Sequence, residues 1–219
     1  MTLEDNTSVR FLSGAMVQLT TLRRNAFDPS PEVKIDLLDG RAHVNVPTKR
    51  PPGDAPFRVL TPTAVAGIRG TQFRVGFVSE VRSSQLEVVS GAVAARGPSE
   101  SPERLAGADQ GVATPANGMA LPVEPLLPAP RFARVAEQAD GRALLVFRAP
   151  DPAQQFHLIT ADEANFNTVR TEGLMGQAQV LVPDFNAQAR FFQWSSITDS
   201  GLFGHTADYA ICKGYAAGK

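Results

Sequence analysis

The chain has 219 residues, 43% of them hydrophobic and 20% charged, and its formal net charge is −1. That length holds one large or two modest domains, and the near-neutral balance excludes the broad positive field that captures nucleic acid or an anionic membrane surface. The single cysteine, Cys212, excludes an intrachain disulfide and a cysteine-rich zinc site.

Cys212 reads as a small buried apolar residue, because a reactive thiol needs a cationic or helix-start neighbourhood and the adjacent Lys213 is a weak one. No apolar run approaches the roughly 20 residues a membrane-spanning helix needs. The opening MTLEDNTSVRFLSG has neither the basic start nor the apolar stretch of a signal peptide. The expectation is either a cytosolic protein or a piece of a longer secreted precursor.

With 18 glycines and 17 prolines, the chain shows little helical periodicity and many short alternating runs. Val9, Phe11 and then Ala15, Val17 and Leu19 are spaced by two. Val33, Ile35 and Leu37 alternate with Glu32, Lys34 and Asp36. Asp39-Gly40 then reads as a tight turn, since glycine accepts positive φ at little cost. Ala42, Val44 and Val46 follow, alternating with Arg41, His43 and Asn45, so the two runs predict a hairpin with one apolar and one wet face. Phe57, Val59 and Leu60 resume the pattern after Pro51-Pro52-Gly53. Phe73, Val75 and Phe77 continue it, and Leu86, Val88, Gly91 and Val93 complete the set. LLDGRAHVNV and VVSGAVAARG share one design and predict two similar hairpin turns.

From Gly97 to about Pro130 the composition shifts to Pro, Gly, Ser and Ala, which predicts a semi-rigid linker with one or two short strands. A second strand-rich stretch follows. It runs through Ala143, Leu145 and Phe147, then Phe156, Leu158 and Ile159, then Val180 to Val182, an aromatic group at Phe191, Phe192 and Trp194, and finally Tyr209, Ile211 and Tyr215. Ala161–Val169 is the one candidate short helix, with Asp162 and Glu163 suited to a first turn. Side chains alternate along a strand, so Phe192 and Trp194 share a face and are expected in the core, with Phe191 the more exposed aromatic.

Catalytic patterns are missing. His43, His157 and His205 fall in different elements without metal-ligand spacing, and there is no nucleophile elbow or phosphate-binding loop. Asp36 and Asp39 bracket the predicted turn, where carboxylates are common for turn chemistry alone. Ser195-Ser196 has no histidine near it in sequence. No catalytic residue, metal or cofactor is implied.

The segment TPTAVAGIRGTQFRV, Thr61 to Val75, resembles the signature of the FecR domain. DLLDGRAHVNV and LEVVSGAVAARG are similar to the strand pairs that flank it in that family, and ADQGVATPANG resembles the closing loop and strand. The resemblance covers Val9 to Gly118. Its best-known members are cytoplasmic-membrane regulators that relay a signal from an outer-membrane siderophore receptor to a sigma factor. The sequence shows no sigma-binding helical segment and no membrane helix, so the expectation is another subgroup. FRAPDPAQQFHLITADEANFNTV and FFQWSSITDSGLFGHTADYAICK resemble a fibronectin type III-like sandwich, with Phe156, Phe166, Trp194 and the Asp199–Gly204 turn in matching places. A FecR domain joined by LLPAP to such a module resembles envelope proteins that also carry a peptidoglycan-binding LysM domain, which is absent here.

The fold expected is all-β. It consists of a FecR-like sandwich or solenoid-like domain over 1–120, a proline-rich linker over 121–132 and a fibronectin type III-like sandwich over 133–219. The resemblance implies a non-enzymatic periplasmic or outer-envelope protein that mediates protein–protein interaction, signal reception or scaffolding near peptidoglycan. Its partner would be an envelope protein or peptidoglycan, not nucleic acid. A FecR-type regulator of an extracytoplasmic sigma factor is the alternative, and a carbohydrate-binding module a further one. The candidate site residues are Arg69, Gly70, Thr71 and Phe73. Gly67 and Gly70 let the backbone turn sharply around Arg69, whose five donors suit loop carbonyls, and Thr71 suits capping that turn. An architectural corner is the favoured reading, and an exposed partner anchor at Arg69 the functional one.

Overall fold

The structure is a computed structural model and describes residues 1–3, 6–12, 14–25, 28–47, 57–68, 71–97, 102–153, 155–166, 168–183, 185 and 188–218. The described residues form strands and turns without a helix, so the fold is all-β. The chain divides into two compact units, Met1–Pro125 and Leu126–Lys219.

The first unit contains β1 (Ser8–Phe11), β2 (Met16–Asn25), β3 (Asp28–Asn45), β4 (Phe57–Leu60), β5 (Val65–Ile68), β6 (Gln72–Val78), β7 (Ser83–Ser90), β8 (Ala92–Arg96), β9 (Arg104–Gly107), β10 (Gln110–Thr114) and β11 (Glu124–Pro125). The long β3 belongs to two layers. Its first half pairs with β2 and, in parallel, with β4, and that layer continues through β5, β8 and β9. Its second half pairs with β1 and β6, and this layer continues through β7, β10 and β11. One apolar core draws on both layers: Val33, Ile35, Phe57, Val59 and Val93 from the first, and Val44, Phe73, Val75, Leu86 and Val112 from the second.

Asp39-Gly40 is not a hairpin turn. Residues 28–45 form one strand, and Gly40 bends it from one layer to the other with φ +83°. The bend also shifts the side-chain phase. Before it the buried apolar residues are odd-numbered (Val33, Ile35, Leu37), and after it they are even-numbered (Ala42, Val44, Val46). Without the shift, one half of β3 would present its polar face to the core. A Cβ at Gly40 would stand 2.7 Å from the Ala15 Cα, so the residue must also be small. Gly91, with φ +87°, does the same between β7 and β8 and moves burial from Leu86 and Val88 to Val93 and Ala95. The two look-alike sequences are therefore layer crossings. A single chain cannot distinguish them from hairpins, because both use a positive-φ glycine between alternating runs.

The predicted linker after Gly97 is also more ordered than its composition suggests. β9 and β10 pair into opposite layers, and Ala106 and Val112 enter the core. Small residues conceal this alternation.

The second unit contains β12 (Arg131–Glu137), β13 (Ala143–Arg148), β14 (Gln155–Ala161), β15 (Val169–Met175), β16 (Gln179–Val182), β17 (Arg190–Ile197), β18 (Phe203–Cys212) and β19 (Tyr215–Gly218). They form a sheet ordered β12-β13-β16 and another ordered β15-β14-β17-β18-β19. The core between them is aromatic. Trp194 is fully buried, with ring centroids 4.8 Å from Phe147 and 6.3 Å from Phe156. Tyr209 lies 5.2 Å from Phe147 and donates a 2.8 Å hydrogen bond to the Pro130 carbonyl. Phe192 is buried as expected, and Phe191 is half-buried against Ile159, Ala161 and Phe166.

The helix expected over Ala161–Val169 does not form. Ala161 ends β14 and Val169 begins β15. Phe166 has φ +53° and is buried, so the connection is anchored by a side chain in a conformation a helix does not allow. Asp162 binds arginines instead of capping a helix. Cys212, at the end of β18, is a half-buried free cysteine.

Candidate functional site

The segment that carries the family resemblance supplies β5 to one layer of the first unit and the start of β6 to the other. Thr61 begins the turn between β4 and β5. Its backbone N–H donates to the Ala64 carbonyl at 2.8 Å, and its hydroxyl accepts from the Ala64 N–H at 2.9 Å. The Thr61 hydroxyl also meets Ser84 Oγ at 2.6 Å. Thr63 is hydrogen-bonded to Ser84 as well and donates to the Thr114 carbonyl at 3.0 Å. These hydroxyls join the β4–β5 turn to β7 and β10, where an unpaired buried hydroxyl would be costly.

Of the four candidate site residues, Arg69 and Gly70 lie outside the described residues. Thr71 is buried. Its hydroxyl donates to the Ala92 carbonyl at 3.0 Å, and its own carbonyl accepts from the Val46 N–H at 3.0 Å. Phe73 is buried in the core opposite Val44 and Val88. Thr71 and Phe73 are thus engaged within the fold and offer no surface to a partner.

Next in the segment, Arg74 opens a cluster the sequence did not single out. On the side of the second layer facing away from the core, His43 stands opposite Arg74, Arg74 opposite Glu87, and Arg10 opposite His43. This is the face expected to be wet. Glu87 is 0% exposed, however, Arg74 7% and Arg41 9%. Arg41 Nη1 donates to Glu87 Oε1 at 2.8 Å, and Arg74 Nε lies 3.6 Å from Glu87 Oε2. The arginine side chain reaches Glu87 over Gly76, where a Cβ would come within 3.1 Å of Arg41 Cγ and Cζ. Burial, then the Arg74 charge, hold the His43 pKa down at about 4. His43 is therefore neutral at pH 7. Nothing in a single sequence reveals that a polar strand face is buried, although Gly76 amid larger residues is a retrospective cue to close approach.

This cluster is an ion-pair network without a nucleophile, and among the described residues no three metal-ligating side chains come together. The surface of the unit offers a different feature. Met16, Val17, Leu19 and Leu22 on β2 are exposed. Val17, Leu19 and Leu22 stand opposite Leu37, Ile35 and Val33, so they continue the core-facing side of the layer out to its edge. Among the described residues β2 pairs only with β3, and none of them pairs with its other edge. An open edge flanked by apolar side chains is a template for strand addition.

Residues 1–94 match the family described as FecR protein. That span runs from β1 into β8 and includes the signature segment, β2 and the buried ion-pair network. No curated protein matches the chain. Among solved structures, part of the chain is similar to a candidate anti-sigma factor from Parabacteroides distasonis, crystallised twice. The first crystal structure gives 23% identity and a TM-score of 0.45, covering 57% of this chain and 54% of that one. The second gives 22% identity and the same TM-score and coverage. The match therefore spans about half the length of that protein. No described helix is long and apolar enough to cross a membrane.

Proposed function

We propose that the chain is a non-enzymatic, protein-binding part of a FecR-type regulator that receives a signal in the periplasm and relays it toward an extracytoplasmic sigma factor. The observation that carries this reading is the FecR match over residues 1–94. The apolar open edge at β2 supports it by providing a place where a partner protein's strand can add. The second unit is read as a fibronectin type III-like module. A three-stranded sheet, β12-β13-β16, facing a sheet that begins β15-β14-β17-β18 supports that reading.

Deletion of the gene in its host, followed by genome-wide transcript measurement, tests the regulatory role. The expected result is a change confined to a small set of genes whose promoters share one sequence pair distinct from the housekeeping pair. An unchanged transcriptome rejects the regulator. A photo-crosslinking residue at Leu19, compared with one at Leu105 on the same unit, tests the surface. Leu19 is expected to capture an envelope protein that Leu105 does not, and equal capture rejects β2 as the receiving edge.

A further inference from the structure

The second unit contains a cleft of about 290 Å³ at the flank where its two sheets part. β15 is the edge strand of one sheet and β16 of the other, and among the described residues each pairs on one side only. The opposite edge of the larger sheet is β19. The floor of the cleft is apolar, formed by Val180, Val182 and Phe192. Thr160 and Thr171 lie across from each other within it, with their hydroxyls 2.6 Å apart and exposed.

Charge gives the cleft a direction. Among the described residues its lining contains Arg170 and Arg190 and no acid. Asp162, close by, binds both: Arg170 Nε contacts each of its oxygens at 2.6 Å, and Arg190 Nη1 contacts Oδ1. These bonds hold the Asp162 pKa below the usual carboxylate range, with Arg170 the larger cause. The group is +1 overall, and each guanidinium carries five N–H donors, so two arginines held by one carboxylate retain donors for a second acid.

The edge carries two charges, Arg170 and Glu172, and a register shift opposite Thr160 and Ala161. β15, VRTEGLM, has no proline or lysine to discourage pairing, and a Cβ at Gly173 would meet open space. A strand added beside β15 would cross the mouth of the cleft. Its side chains would alternate, so every second one would point inward, at intervals of about 6.6–6.8 Å. One inward side chain would rest on Val180, Val182 and Phe192, and the next would reach the arginines.

We propose that β15 and its cleft bind an extended protein segment by strand addition, with an apolar side chain in the cleft and an acidic side chain two residues along on Arg170 and Arg190. This site is separate from the β2 edge and stands whether or not the regulatory reading holds.

The test uses the whole chain and a fluorescein-labelled peptide, Thr-Ser-Thr-Val-Thr-Asp-Thr-Ser, with a version carrying Lys for Asp and with N-acetyl-aspartate as competitor. Anisotropy is expected to show binding that weakens at least tenfold with the Lys peptide, with Arg190→Gln and with the more exposed Arg170→Gln. Trp194 fluorescence and thermal melting check that both variants are folded. Hydrogen exchange is expected to show protection at alternate amides of Val169–Met175. Equal affinity for the Asp and Lys peptides, protection outside β15, or displacement by N-acetyl-aspartate at the peptide's own concentration each overturns the proposal, the last in favour of a small-acid site.

Discussion

Arg41 donates a 2.8 Å hydrogen bond to Glu87, a carboxylate with no exposed surface, from a strand two places away in the same layer. A buried pair of this kind is costly to break from one side, because the remaining charge is left in a poorly solvating medium. Glu87→Ala is expected to lower stability by about 3–5 kcal/mol. Glu87→Gln keeps the shape and one acceptor and should cost less. Gly76→Ala pushes a methyl to 3.1 Å from Arg41 Cγ and Cζ and from Gln85 Oε1, and should cost about 1–3 kcal/mol as overpacking. Urea unfolding followed by circular dichroism measures all three. An unchanged midpoint for Glu87→Ala would show that the pair does not support the first unit.

His43 ties this network to pH. Its pKa in the fold is about 4, with burial the first cause and Arg74 the second. In the unfolded chain the same group titrates near the ordinary histidine value of about 6.5. Unfolding therefore takes up a proton between those two values, and stability falls as pH falls from about 6.5 to 4. Above pH 6.5 both states are neutral and His43 contributes no slope. The full effect by pH 4 is at most about 3 kcal/mol. Melting temperatures across pH 4–8 should fall in acid for the native chain and fall less for His43→Gln. Parallel curves would remove His43 as the cause.

The layer crossings make a sharper prediction. Gly40→Ala places a side chain at φ +83° and 2.7 Å from the Ala15 Cα. Gly141→Ala has a similar φ, +82°, but open space around the new methyl. The conformational penalty alone is about 1–2 kcal/mol, so Gly141→Ala should lose that much and Gly40→Ala clearly more. If the two variants lost the same amount, the close approach to Ala15 would not matter.

These glycines also show what the sequence could reveal. Alternation in Val33–Leu37, Ala42–Val46 and Leu86–Val88 identified strands, because a two-residue period reports which side meets apolar surroundings. It did not say whether the chain reverses or continues past Gly40, since positive φ serves both. The helix expected at Ala161–Val169 rested on Asp162 and Glu163, but Asp162 binds Arg170 and Arg190, contacts set by β15 and β17 and invisible locally. Thr71 and Phe73 stood out through the signature. Arg41, His43 and Glu87 did not, because their burial depends on which surfaces meet in three dimensions. The cleft beside β15 was equally hidden, as it arises from the order of strands in two sheets.

Tyr209 provides the most selective test of the second unit. Its hydroxyl donates to the buried Pro130 carbonyl at 2.8 Å and accepts from the Phe132 N–H at 3.3 Å. The ring packs against Phe147, which touches Trp194. Tyr209→Phe keeps the ring and removes both hydrogen bonds, leaving a buried acceptor unmatched, and should cost about 1–3 kcal/mol. Trp194 is the chain's one tryptophan and is fully buried in this unit, so its fluorescence follows the unfolding of the second unit alone. The midpoint by fluorescence should move to lower urea in Tyr209→Phe, while hydrogen exchange at Val44 and Phe73 in the first unit stays as in the native chain. A fluorescence midpoint that does not move would mean that water replaces the hydroxyl at Pro130 without loss.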